Sequence, residues 1–264
     1  MDYLQINKQL WNDKTDFHFQ SEFYAVDAFL KGQDALNSIE LDLLGDIKDK
    51  KILHLQCHFG MDTISLSRHG AEATGVDFSE KAIEKARHLQ STLGTNTRFI
   101  QSDIYSLHEL LDEQFDIVYT SYGVIGWLPD MDLWANTIRH FLKPGGSFIM
   151  VEFHPVVWMF SNDFQKIEYH YSDSQPIIEE TQGTYANPQA EIQGKSVSWN
   201  HGLAKVLNAL IQTGLSIRHF QEWDYSPYDC FDNTIEIEKG KFQIKGLEQK
   251  IPMLYSVVAQ KSHH

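Results

Sequence analysis

The stretch that most constrains this chain is Lys51 to Asp77, KILHLQCHFGMDTISLSRHGAEATGVD. Ile52 to Gln56 is a short apolar run with His54 as its one polar interruption, and it reads as a buried strand. A tight segment, Cys57-His58-Phe59-Gly60, leads into a helical pattern (Met61, Ile64, Leu66, Ser67) that stops at Gly70. A second strand, Ala73 to Val76, ends on Asp77. This order opens a doubly wound α/β sheet, in which ligands bind at the carboxyl ends of the strands.

The remaining pattern extends that sheet. Ser79 caps a helix that Gly94 ends, and Thr97 to Ile100 is a third strand closing on Gln101-Ser102-Asp103. A short helix, Tyr105 to Leu111, leads to a fourth strand, Phe115 to Tyr122. The helix Met131 to Leu142 and the turn Lys143-Pro144-Gly145-Gly146 precede a fifth strand, Ser147 to Phe153. Residues 156–200 break the alternation, with Trp158, Tyr169, Tyr171, Tyr185 and Trp199 among polar residues. They read as an insertion holding a pair of short strands around Glu168–Tyr171 and Thr181–Tyr185. A helix, His201 to Thr213, then precedes strands at Leu215–Trp223 and Met253–Gln260, with a loop and the short run Lys241–Ile244 between them. The closing strands lack a helix between them and are expected to be antiparallel neighbours. The expectation is a seven-stranded, mostly parallel sheet in a single domain over residues 1–264.

Residues 1–48 are too apolar for a disordered tail. Leu4, Ile6, Leu10 and Trp11, then Ile39, Leu41, Leu43 and Leu44, recur at helical spacing around a very aromatic middle. They predict helices across the top or side of the sheet, in position to act as a lid that excludes water.

Composition limits the partners. With 22 basic and 36 acidic residues the formal charge is −14, which disfavours nucleic-acid phosphates and anionic membranes. No apolar run approaches the ~20 residues of a membrane span, and the N-terminus lacks a basic segment followed by an apolar one. Cys57 and Cys230 have no metal-ligand spacing and suit a reducing, cytoplasmic protein. The 13 histidines include no HxH or HExxH spacing, so no metal is expected at His54, His58, His154 or His201. His263-His264 are given no role.

Four strand ends fall along one sheet edge: Gln56-Cys57-His58 with Gly60, Asp77-Phe78, Asp103-Ile104, and Ser121-Tyr122-Gly123. The first turn brings backbone N–H groups to a ligand, and Asp77 accepts from ribose hydroxyls. Phe78 packs on a flat base, and Asp103 accepts from an exocyclic amine. Together they describe an adenosine site.

On ILHLQCHFG, TGVDFS, QSDI, FDIVYTSYGVIGWL and LKPGGSFIMVEF, the chain resembles a class I S-adenosylmethionine-dependent methyltransferase over about Lys51 to Phe153. QCHFG with VEFHPVVWMF and YSPYDCF resembles, more narrowly, a bacterial subfamily of small methyltransferases. The resemblance implies a Rossmann-like methyltransferase fold, S-adenosylmethionine as cofactor with S-adenosylhomocysteine as product, and transfer to a small-molecule acceptor. The cofactor residues expected are Gln56, Cys57, His58, Gly60, Asp77, Phe78, Asp103, Ile104 and Ser121. The chain departs from the family at His54, where an acid is usual, and at Gln56 and His58, where glycines are usual. Gln56 then offers its side-chain carbonyl to the methionine ammonium, and His58 replaces a glycine only with a negative φ. His154 and Tyr122 are the catalytic candidates, with His154 as base; Glu152 is expected to be a structural partner inside the fold. Trp127, Trp158, Trp199, His201 and Tyr228 are candidate walls of the acceptor pocket. A nicotinamide-dependent oxidoreductase shares the acid after the second strand, but needs GxGxxG where this turn has a single glycine. A non-catalytic nucleotide-binding protein of the same fold is the other alternative.

Overall fold

The computed structural model describes residues 2–263; His264 lies outside them. Three helices come first, α1 (Tyr3–Gln20), α2 (Val26–Leu30) and α3 (Ser38–Leu44). The alternating body follows as β1 (Lys51–Leu55), α4 (Met61–Arg68), β2 (Glu72–Asp77), α5 (Glu80–Leu93) and β3 (Arg98–Gln101). It continues through β4 (Phe115–Ser121), α6 (Met131–Phe141) and β5 (Leu142–Phe153). A hairpin, β6 (Ile177–Gln182) and β7 (Gln193–Ser198), occupies the insertion. The chain closes with α7 (Leu203–Gln212), β8 (Leu215–Trp223), a second hairpin β9 (Thr234–Glu238) and β10 (Lys241–Ile244), and β11 (Leu254–Lys261).

The main sheet has the order β3-β2-β1-β4-β5-β11-β8. The first five strands run parallel, and β11 lies antiparallel between β5 and β8. The order reverses between β1 and β4, so the carboxyl ends of these two strands open the crevice where such sheets bind ligands. Both faces are covered. Trp134, Phe141, Phe148 and Tyr255 fill the side of α6 and α7; Ile52, Leu66, Tyr119 and Ile149 fill the side of α3 and α4. Alternation along each strand sends successive side chains into the two cores in turn.

Four sequence expectations need correction. The insertion's strands lie at 177–182 and 193–198, because Tyr169 and Tyr171 sit in turns where their hydroxyls bond Glu179 and the Leu203 N–H. The helix expected at Tyr105–Leu111 shrinks to one 3-10 turn, Leu107–Glu109, since Asp103 ties down the N–H groups of Tyr105 and Ser106 in a turn. Strand β5 begins at Leu142, which pairs with Phe115 before a register shift at the Gly145-Gly146 turn. Lys241–Ile244 pairs in its own hairpin outside the main sheet.

Candidate active site

The turn after β1 is the centre of the site. Gln56, His58 and Gly60 have φ of +57°, +50° and +77°. The expectation of a negative φ at His58 is therefore wrong. The turn keeps left-handed geometry at all three positions, and two of them carry side chains at a cost of about 1–2 kcal/mol each. Gly60 tolerates no replacement: a Cβ there would lie 2.4 Å from Phe99 Cε1.

Surrounding bonds hold the strained turn. Asp77 Oδ2 accepts from the His58 N–H at 2.8 Å, and Asp77 Oδ1 accepts from the Ser79 N–H at 2.9 Å. Gln56 Nε2 donates to the Val124 carbonyl at 2.9 Å, which leaves the buried Gln56 Oε1 without a partner. The His58 ring packs among Trp11, His18, Tyr24 and Phe59. Burial lowers His58 to about 3, so the ring is neutral. Burial pushes Asp77 up to about 6, opposed by its backbone hydrogen bonds. Cys57 is buried and its thiol is pushed well up by burial, so it is an inert small residue under the turn.

A cleft at the carboxyl edge is bordered by Gln56, Phe78, Asp103, Ile104, Trp127 and Leu128 from the sheet side and by Tyr3, Leu4 and Asn7 from α1. Of the strand-end residues that the sequence put together, Gln56, Phe78, Asp103 and Ile104 border it, while Asp77 and His58 lie in the turn beside it. Trp127, expected in the acceptor pocket, belongs instead to this cleft, anchored by its Nε1–H on the Gly123 carbonyl. A larger, solvent-open hollow bordered by Lys51, Arg98 and Glu113 lies at the opposite edge, away from the strand ends that carry ligands in this architecture.

Helix α1 covers the cleft and is tied to the insertion. The Asn7 side-chain amide donates to the Val197 carbonyl at 2.7 Å and accepts from the Val197 N–H at 2.9 Å, imitating a strand partner for β7. Asn12 accepts from the Ser79 hydroxyl at 2.6 Å, which fastens the other side of α1 to the cap of α5. The sequence did not single out Lys14. It is nearly buried, makes no ion pair among the described residues, and burial lowers it to about 8.

Beneath this cover lies an aromatic hollow. Tyr24, His58, Asp62 and Tyr228 are half-buried around it, and Tyr185 is 40% exposed. Phe23 touches Tyr24, Tyr185 and Tyr228, and Tyr228 meets Tyr122 edge-on at 5.0 Å. Two carboxylates missed in the sequence face this space. Asp62, in the first turn of α4, accepts from the Ser121 hydroxyl at 3.1 Å. Glu40 of α3 is fully buried; it accepts from Asn37 at 3.2 Å, and its Oε2 makes no well-formed hydrogen bond. The Asp62 signal was available as an acid two residues after Gly60, while Glu40 sat in a helix legible only as packing.

Burial and then the charge of Glu40 push Asp62 up to about 7, with the Ser121 bond opposing. The folded protein thus holds a proton at Asp62 that the unfolded chain releases near pH 3.9, and stability is lost as pH rises through that window to about 7. Asp62→Asn is expected to stabilise the protein by about 2 kcal/mol at pH 8 and not at all at pH 3.5. Melting temperatures of both proteins across that range check it, and parallel curves would contradict it.

The other predicted residues sit elsewhere. His154 is buried at the end of β5, with Nε2 2.9 Å from Glu222 Oε1 and Nδ1 accepting from the Val156 N–H. Both ring nitrogens are engaged away from the cleft, so the geometry gives it no role as a base toward this site. Tyr122 stands beside Tyr228 and Glu40, and its φ is +30°. Glu152 accepts from the N–H groups of Gly123, Val124, Ile125 and Phe153, which fixes the loop after β4, as a structural partner inside the fold should. His201 is buried with Nε2 2.7 Å from the Leu128 carbonyl, and burial lowers it to about 4, so it braces the cleft wall from behind. Trp199 is buried edge-on against Tyr3 and supports the start of α1. Trp158 packs on Phe153 and Phe231 at a rim. Of the five acceptor-wall candidates only Tyr228 lines the hollow. Among the described residues, no group of three His, Cys, Asp or Glu side chains is placed to hold a metal ion, and no helix is long and apolar enough to cross a membrane.

Residues 52–146 match the family described as Methyltransferase domain. A ubiquinone biosynthesis O-methyltransferase of Serratia proteamaculans is 27% identical over 130 residues, covering 48% of this chain and 54% of that protein. A sterol 4-C-methyltransferase of Caenorhabditis elegans is 22% identical over 210 residues, covering 75% of this chain and 61% of that protein. The chain spans about half the length of the curated bacterial relatives it matches. Among solved structures, an S-adenosylmethionine-dependent methyltransferase of Mesorhizobium loti superposes with a TM-score of 0.58 at 21% identity, covering 88% of this chain and 100% of that one. The PH0226 protein of Pyrococcus horikoshii gives 0.60 at 18% identity, covering 94% and 98%. Strand order, the acids at the ends of β2 and β3 and these likenesses together give the chain the fold of the class I S-adenosylmethionine-dependent methyltransferases, within which residues 52–146 match the methyltransferase family model.

Proposed function

We propose that the protein transfers a methyl group from S-adenosylmethionine to a small-molecule acceptor. The observation that carries this reading is the left-handed turn at Gln56, His58 and Gly60, held by Asp77 beside a cleft that also contains Phe78, Asp103 and Ile104. Each Asp77 oxygen uses one lone pair on a backbone N–H and keeps another for a ribose hydroxyl. Phe78 and Ile104 offer apolar surface to the base, and Asp103 offers a carboxylate at its edge. When bound, the cofactor supplies an electrophilic methyl carbon on a sulfonium.

The chain's own work is positioning and drying. The helices of residues 1–48 and the insertion at 156–200 act as a joint lid, clamped by Asn7 on Val197, and exclude water from the reacting centre. Tyr24, Tyr122, Tyr185 and Tyr228 wall the acceptor side. Their hydroxyls, all held protonated by burial, orient an acceptor without taking its proton. Relatives named for ubiquinone biosynthesis and for sterols support a small-molecule acceptor. Calorimetric titration with S-adenosylmethionine and with NAD tests the cofactor: binding of the first alone is expected, and binding of NAD alone would replace this reading with the oxidoreductase. Labelled methyl transfer into a metabolite extract then identifies the acceptor.

A further inference from the structure

We infer that Asp62, with Glu40 behind it, holds the α-ammonium group of the cofactor's amino-acid end, in place of the acid that this chain lacks at His54. The inference rests on the cofactor reading above and adds the residues that recognise the methionine end.

The position of His54 is filled in a way that excludes it. Burial lowers its imidazole to about 3, so it is neutral and carries no negative charge for a cation. Its Nδ1 lies 2.9 Å from Thr63 Oγ1, and Thr63 directly follows Asp62. The acid has therefore moved from β1 to the first turn of the helix that this strand feeds. There Asp62 is two residues beyond Gly60, and its Ser121 partner ends β4. The carboxylate stands between the ends of β1 and β4, at the reversal of strand order, and its charge reaches the Cys57 thiol of the turn itself.

The surroundings lack what a carboxylate pair needs. Asp62 and Glu40 repel one another, and the described residues make no ion pair to either. Glu40 Oε2 is buried near the Tyr122 hydroxyl, and neither atom makes a well-formed hydrogen bond. The Tyr119 hydroxyl is fully buried beside Ser121, feels the charges of both Glu40 and Asp62, and makes no well-formed hydrogen bond. An unsatisfied buried acceptor costs free energy that a native site keeps only when something completes it. A group with one positive charge and three N–H donors satisfies this set, and an α-ammonium is such a group. The raised Asp62 agrees with a carboxylate whose cation arrives with the ligand. The charges that reach Asp62, from Glu40 and Asp34, are both negative, and its hydrogen-bond partner is the neutral Ser121 hydroxyl.

The test compares three nucleoside thioethers by calorimetry at pH 8 on the wild type, Asp62→Asn and Glu40→Gln. S-adenosylhomocysteine carries the whole amino acid, its decarboxylated analogue keeps the amine alone, and 5′-methylthioadenosine has neither. Wild type is expected to bind the two amine-bearing ligands at least about 30-fold more tightly than 5′-methylthioadenosine. Asp62→Asn is expected to remove most of that preference, and Glu40→Gln part of it, with 5′-methylthioadenosine affinity within about twofold of wild type in both. That last affinity shows that each variant is folded with an intact adenosine site. A preference unchanged in Asp62→Asn, or one lost for S-adenosylhomocysteine but kept for the amine analogue, would overturn the inference. Wild-type binding of 5′-methylthioadenosine without any preference overturns the inference alone, whereas binding of none of the three removes the cofactor reading beneath it.

Discussion

Asp77→Ala is expected to weaken S-adenosylhomocysteine binding by about 100-fold or more and to lower stability at the same time. The binding loss follows from two charge-assisted hydrogen bonds to ribose, each worth about 1.5–3 kcal/mol. The stability loss has a separate origin. Asp77 is 6% exposed, and its two oxygens satisfy the N–H groups of His58 and Ser79. Alanine leaves both donors without an acceptor in a turn already strained at Gln56 and His58, at about 1–3 kcal/mol for each. Asp77→Asn separates the effects only in part, because its amide nitrogen must face one of those two donors. Calorimetry for binding and thermal melts for stability check the pair. An alanine variant that melts and binds like wild type would contradict the assignment of Asp77.

The second large effect is expected at Glu152, which does not border the cleft. Its carboxylate is 1% exposed and accepts four backbone N–H groups, three of them from the consecutive residues Gly123, Val124 and Ile125. Burial raises this carboxyl while the four bonds oppose the shift. Removing the acceptor strands donors that water cannot reach, so Glu152→Ala should cost at least about 4 kcal/mol, a large part of a typical stability of 5–15 kcal/mol. The expected fall in melting temperature is roughly 10 °C or more. Glu152→Gln is expected to fall between the two, since it keeps one acceptor oxygen and turns an NH2 toward the remaining donors. The same loop carries Tyr122 and Trp127, so cofactor affinity should decline along with stability. A melting temperature within 2 °C of wild type in Glu152→Ala would contradict this account of the loop.

The sheet was legible because its signals are local. Alternating strands, Ser79 and Gly94 around α5, and acids at strand ends each follow from a few neighbouring residues. The insertion was not, because β6 and β7 are stabilised by each other and by α1 rather than by their own pattern. Asn7 bonding Val197 joins residues 190 positions apart, and nothing near Asn7 announces it. The site was half legible for the same reason. Phe78, Asp103 and Ile104 lie at strand ends and border the cleft, and Asp77 holds the turn beside it. Glu40 and Asp62 influence one another only because α3 and α4 cover the same face of the sheet, a juxtaposition that exists in the fold and not in the sequence. His154 shows the converse. Its place after β5 suggested a base, but β8 supplies Glu222 at 2.9 Å from its ring and draws it into a structural pair.

The left-handed turn at Gln56 and His58 bears on mechanism as well as on folding. Strain at a ligand turn persists only where neighbours over-determine it, and here the neighbours include Trp11, His18 and Tyr24 of the covering helices. The N-terminal segment therefore contacts the turn through a side chain that a glycine would not provide.

The most direct measurement is a crystal structure of the protein with S-adenosylhomocysteine. The ribose hydroxyls are predicted on Asp77, the base between Phe78 and Ile104 with its amine toward Asp103, and the amino-acid end toward Asp62. A nucleoside bound with its ribose away from Asp77, or crystals that take up no S-adenosylhomocysteine at saturating concentration, would contradict the account.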